Sequence, residues 1–92
     1  MFLYVIAYDI PDDRRRKKMA DLLEGYGQRV QYSVFECTLS KSKFNELQKR
    51  LRKIYQSEED SLRFYPLSGH TLTQVDIWGE PPLTKPPGSV IV

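Results

Sequence analysis

Residues 2–9 form an apolar run with two apolar faces. Phe2, Tyr4, Ile6 and Tyr8 fall on one side of an extended chain, and Leu3, Val5, Ala7 and Asp9 on the other. A strand apolar on both sides is predicted to be central and covered on both faces. After Pro11 the period changes. Asp12 or Asp13 can cap a helix whose buried stripe is Met19, Leu22, Leu23 and Tyr26. Tyr26-Gly27 is expected to end that helix, with Gly27 as a left-handed cap.

Arg29 to Leu39 alternates again, Val30, Tyr32 and Val34 against Gln31, Ser33 and Phe35. The pattern allows one long strand or two short ones kinked near Ser33. From Ser40 or Ser42, Phe44, Leu47, Leu51 and Ile54 mark the core face of a second helix. Ser61–Leu67 reads as a strand interrupted or ended by Pro66. Ser68-Gly69-His70 reads as a turn, and Thr71–Trp78 as a further strand with Val75 and Ile77 inward.

This order predicts an α/β (α+β) sandwich, with a sheet of about four strands and both helices on one face. Residues 1–79 would form the domain. Residues 80–92 would be a proline-rich connector, through Pro81-Pro82 and Pro86-Pro87, to a short terminal strand, Ser89–Val92. That strand is expected to pair with a sheet edge in this chain or in a second copy. The helices leave the second face of the central strand open. A homodimer is the economical cover, because an isologous contact needs one self-complementary patch.

Composition narrows the class. Ninety-two residues, 40% hydrophobic and 28% charged, suit one globular core. No apolar run approaches the ~20 residues of a membrane span. Residues 2–9 lack the basic and small-residue flanks of a signal peptide, so a cytoplasmic protein without a membrane partner is expected. Cys37 is the single cysteine; with His70 alone it cannot build a zinc site, and a buried structural thiol is expected. Net charge is only +2, but cations crowd residues 14–18 and 41–53.

Two features carry candidate chemistry. Asp9, at the end of the central strand, is either a turn carboxylate or a ligand for a hard cation such as Mg²⁺. Dimerisation through the open face could bring two copies of Asp9 together, with a metal relieving their repulsion. The block Arg14, Arg15, Arg16, Lys17 and Lys18 lies where cations oppose the helix dipole. Asp12 and Asp13 offset part of that cost, and a bound phosphate would offset more. The basic face of the second helix reads as solvated unless it lies beside this block. Phe35 reads as core, as a stacking platform or as a dimer contact.

Tyr8-Asp9-Ile10, Arg14–Lys18, the stretch Tyr26–Cys37, Ser61-Leu62-Arg63-Phe64-Tyr65 and Gly79 together resemble the CRISPR-associated protein two family, in order over residues 2 to about 79. The resemblance implies a ferredoxin-like fold with a mainly antiparallel sheet of four to five strands. It implies a homodimer with its Asp9 pair facing across the axis, and a shared Mg²⁺ or Mn²⁺. It further implies endonuclease cleavage of RNA or duplex DNA in some members. In others it implies a non-catalytic scaffold that joins copies of the CRISPR integrase and holds DNA. By position, Asp9 is the implied metal ligand and Tyr8 its neighbour, with Arg16, Arg29 and Phe35 in the implied active site. Arg14, Arg15, Arg16, Lys17, Lys18, Arg29 and Ser33 are the implied substrate contacts. Lys18 stands where some members have arginine, which alters its phosphate geometry. Rival readings are an RNA-binding module, for which Arg63-Phe64-Tyr65-Pro66 lacks the glycine-flanked aromatic motif, and a toxin-like ribonuclease outside CRISPR.

Overall fold

A computed structural model describes residues 1–85 of the chain. The elements run β1 (Phe2–Asp9), α1 (Asp13–Glu24), β2 (Gln28–Gln31), β3 (Val34–Leu39), α2 (Lys41–Arg52), β4 (Ser61–Leu67) and the single turn α3 (Gly69–Leu72). The sheet order is β2-β3-β1-β4 and every neighbouring pair is antiparallel. This is the ferredoxin-like arrangement, with β1 in the interior as its two apolar faces require.

The faces of β1 are unequal. Tyr4, Ile6 and Tyr8 are buried beneath the helices with Phe35 and Cys37 of β3 and with Met19, Leu23, Phe44, Leu47 and Leu51. Tyr4 stacks on Phe44 with ring centroids 3.8 Å apart, and Phe44 meets Phe64 edge-on. Leu3, Val5, Ala7 and Asp9 share the opposite face with Val34, Glu36 and Thr38 across β3, and with Tyr65 and Arg63 across β4. The chain itself covers part of that face. Leu83 and Thr84 are half-buried, and the Thr84 amide donates to Glu36 Oε1 at 3.0 Å.

Asp12 is the α1 cap; its carboxylate accepts the Arg15 amide at 2.9 Å. The helix stops at Glu24, two residues before Tyr26 and three before Gly27. Gly27 is not a left-handed cap, since Gly79 is the one described residue with positive φ. Its lack of a side chain serves close approach instead. A Cβ there would overlap the Glu36 carbonyl oxygen and both Sγ and Cα of Cys37.

Arg29–Leu39 is two strands joined at Tyr32-Ser33, with an irregularity between Arg29 and Gln31 that leaves Val30 without a register partner. β4 runs through Pro66, because an edge strand has one side free of ladder bonds.

Thr71–Trp78 is not a strand. Ser68 accepts the Thr71 amide and Thr73 Oγ1 donates to the His70 carbonyl, so local hydrogen bonds win over a ladder. Val75 and Ile77, expected to point inward, are exposed, as is Trp78 at 98%. The expected strand Ser89–Val92 lies outside the described residues. No helix among the described residues is long and apolar enough to cross a membrane.

Candidate functional site

The end of β1 delivers two neighbouring side chains to opposite layers. Asp9 is exposed on the open face, opposite Ser61 of β4. Tyr8 is buried on the helix side, 6% exposed, its ring 6.3 Å from that of Phe35. Burial raises the Tyr8 phenol above its ordinary range, and the Arg29 guanidinium beside it pulls the other way. Among the described residues no group of three His, Cys, Asp or Glu side chains is placed to hold a metal. Asp9 supplies a carboxylate suited to a hard cation that keeps its waters. The donor chemistry fits, and a second copy would double it.

Around Tyr8 the helix-side groove gathers Arg16, Arg29 and Tyr32. Arg16 Nη1 donates to the Ile10 carbonyl at 2.9 Å and the guanidinium pairs with Asp13, which raises its pKa and pins the turn leaving β1. Arg29 lies over the Phe35 ring, 5.4 Å from guanidinium carbon to centroid. Phe35 has no exposed surface, so it is core and not a stacking platform; its bearing on the groove is through Arg29. Ser33 is half-buried, and its carbonyl accepts the Tyr8 amide at 3.0 Å. The implied active-site residues therefore divide. Tyr8, Arg16, Arg29 and Phe35 belong to the helix side, and Asp9 lies across the sheet from them.

The cationic block divides as well. Arg15 is not a free phosphate contact. Its Nε donates to Asp60 Oδ2 at 2.7 Å, one Nη donates to Asp60 Oδ1 at 2.9 Å, and Glu59 is a second partner. Asp60 also accepts the Gln56 amide, and the Arg15 contact holds its carboxyl below the usual range. This ties α1 to the loop before β4. Lys17 pairs with Asp21 one turn on, at 3.0 Å. Arg14 and Lys18 are exposed, and no described carboxylate lies within 4.0 Å of either.

Three groupings escaped the sequence pattern. Tyr32, 74% exposed at the hairpin turn, borders the groove; an aromatic in a turn was its one signal. Tyr26 donates to Glu46 at 2.5 Å and accepts from Arg50 at 2.8 Å, joining α1's end to α2. Lys53 comes to lie beside Arg14 and Lys18. Cys37 is buried as expected, and burial pushes its thiol up to about 12.

With the geometry in place, likeness to known proteins is informative. The family model for CRISPR associated protein Cas2 matches residues 1–75. A Thermus thermophilus protein named CRISPR-associated endonuclease Cas2 2 is 49% identical over 83 residues, covering 90% of this chain and 88% of its own. A Synechocystis protein named CRISPR-associated endoribonuclease Cas2 2 is 45% identical over 93 residues, spanning 100% of each chain. A chain solved in a partial Cas6-RT-Cas1–Cas2 complex matches with a TM-score of 0.74 at 34% identity, over 84% of this chain and 90% of that one. On sequence and fold together, this chain belongs to the CRISPR-associated protein Cas2 family.

Proposed function

We propose that the chain acts as a homodimeric endonuclease of CRISPR adaptation, cleaving phosphodiester bonds of RNA or duplex DNA with Asp9 as its metal ligand. The observation that carries this reading is the exposed Asp9 carboxylate at the end of the central strand. Relatives named as endonuclease and endoribonuclease support the reaction class. The working domain is residues 1–79, with 80–92 as its connector and terminal segment.

The Asp9 carboxylates of two copies would hold Mg²⁺ or Mn²⁺, and the chemistry supplied there would be a water of lowered pKa and charge stabilisation at the phosphate. The chain's own part is to orient and to hold. The ladder through Ser61 fixes the end of β1 and so the position of the Asp9 carboxylate. Arg16, anchored on the Ile10 carbonyl, stiffens the turn that follows it. Arg29, held over Phe35, presents its guanidinium as a bidentate donor to a phosphate entering from the hairpin side.

The test is Asp9→Asn in recombinant protein free of contaminating nuclease. Cleavage in magnesium should fall by at least a hundredfold while the fold is retained; persistent metal-dependent cleavage refutes the assignment.

A second reading, a non-catalytic scaffold for the CRISPR integrase, is favoured by the structural match inside a Cas1–Cas2 assembly. Spacer acquisition that survives Asp9→Asn would select it.

A further inference from the structure

We propose that the segment after Gly79 is a strap across the open sheet face, and that it must be released before a second copy can seat there. This rests on the reading above that the chain works as a homodimer, and it names what regulates that assembly.

The strap is anchored on β3. At Gly79 the backbone takes a φ of 94°, a left-handed conformation open to glycine. Beyond it Leu83 is half-buried, and the Thr84 amide donates to Glu36 Oε1 at 3.0 Å. Glu36 shares the open face with Thr38, and across the ladder with Val5 and Leu3. Leu3 is 1% exposed although it stands apart from the cluster beneath the helices, and Thr38 beside it is buried as well. Toward Asp9 the cover thins: Val5 and Ala7 are half-buried and Asp9 is exposed. The strap therefore takes the half of the face away from the carboxylate.

A second copy needs both halves. Four strands at about 4.8 Å spacing, with an eight-residue β1 at about 3.4 Å per residue, present a face of roughly 500 Å². A stable interface takes about 800 Å² from each partner, so no half can be spared. Sheets packed face to face also stand about 10 Å apart, a gap that side chains fill. A backbone segment lying over Glu36 occupies that layer. Strap and partner thus compete for one surface.

The closed strap is shallow. Thr38 Oγ1 and Thr84 Oγ1 are buried and bond to no described residue, which disfavours the state that buries them. The segment leading to the strap leaves Val75, Ile77 and Trp78 exposed, so closure shelters Leu83 and gives these three no cover. What holds the strap is one amide–carboxylate hydrogen bond and a half-buried leucine. An interaction of that kind shifts the ratio of closed to open about tenfold. The face is then shielded in dilute protein and opened by mass action as copies accumulate.

The strap is tested by sedimentation velocity over a concentration series, in one magnesium buffer, for wild type, Leu83→Asp, Thr84→Pro and a control, Lys85→Gln, whose side chain is exposed. Leu83→Asp sets a carboxylate against Glu36, and Thr84→Pro removes the amide donor; neither alters the sheet. Because the open fraction of each protomer enters the dimer constant, and enters twice, Kd should fall by about tenfold to a hundredfold in both variants. The control should stay within about twofold of wild type. An unchanged or raised Kd in either variant overturns the proposal. Hydrogen exchange at the Thr84 amide reads the strap itself in dilute, monomeric protein. It should be about tenfold slower in wild type than in Leu83→Asp once sequence effects are corrected, and equal rates overturn the strap. No dimer in any of the four proteins sinks the homodimer reading, whereas a dimer whose constant neither variant lowers sinks the strap alone.

Discussion

Gly27 offers the sharpest test of how this chain builds its groove. The glycine precedes β2, whose second residue is Arg29, and its backbone lies against β3 at Glu36 and Cys37. In Gly27→Ala the new methyl would overlap the Glu36 carbonyl oxygen and the Cys37 Cα, and backbone atoms of a central ladder do not yield cheaply. The Cys37 side chain is fully buried and has no room to swing aside. Overpacking of a tight interior costs about 1–3 kcal/mol, and contact with backbone puts this site near the upper value. In a domain of this size each kcal/mol moves Tm by roughly 4–8 °C, so a fall of roughly 10–20 °C is expected in a thermal melt followed by circular dichroism. Gly25→Ala is the internal control. Its methyl would meet only the Leu22 carbonyl, at an ordinary 3.4 Å, so Tm should stay within a few degrees. Gly27→Asn separates two explanations of the same residue. A left-handed cap accepts asparagine, whereas close approach makes it worse than alanine. A Gly27→Asn protein as stable as wild type would refute the close-approach argument.

Two further perturbations probe the frame around the site. Asp60→Asn should cost about 2–3 kcal/mol at neutral pH, because the Asp60 side chain has no exposed surface and its loss strips Arg15 of its bidentate partner, while Glu59 offsets part of the cost. Since folding depresses the Asp60 pKa, its contribution is present above the ordinary carboxylate range near 4 and is lost as pH falls through the folded-state value. Wild-type and Asp60→Asn melting curves should therefore converge in acid; a constant gap down to pH ~2 would show that the carboxylate is not what matters. Phe44→Ala should cost about 3–5 kcal/mol, since it removes the ring stacked on Tyr4, and urea denaturation with an unchanged midpoint would contradict the packing described.

The sequence was most informative where one residue's surroundings depend on its neighbours in the chain. The central position of β1 followed from its two apolar faces, and a cap at Asp12 or Asp13, resolved by the structure as Asp12, from the polar residues ahead of a helical stripe. The hairpin was ambiguous because Tyr32-Ser33 carries neither the glycine nor the asparagine that marks tight turns. The reading of Thr71–Trp78 failed for a different reason. Alternation of Val75 and Ile77 predicts a strand only if a neighbouring edge accepts it, and within the described residues these side chains remain exposed. The cationic block was equally opaque. Arg15 is neutralised by Asp60, 45 residues away, and Lys53 joins Arg14 and Lys18 only through the packing of two helices.

These long-range pairings change what the opening strand can do. Alternation alone places Tyr8 and Asp9 on opposite faces, so the Asp9 carboxylate and the Tyr8–Arg29 groove open on different layers of one chain. The layer that carries Asp9 also carries half-exposed Val5, Ala7 and Tyr65, a surface fit to meet its own copy. The layer that carries Arg14, Lys18 and Lys53 is polar and points the other way. If two copies meet through the sheets, their Asp9 carboxylates converge between the layers while Arg14, Lys18 and Lys53 stay on the outer surface.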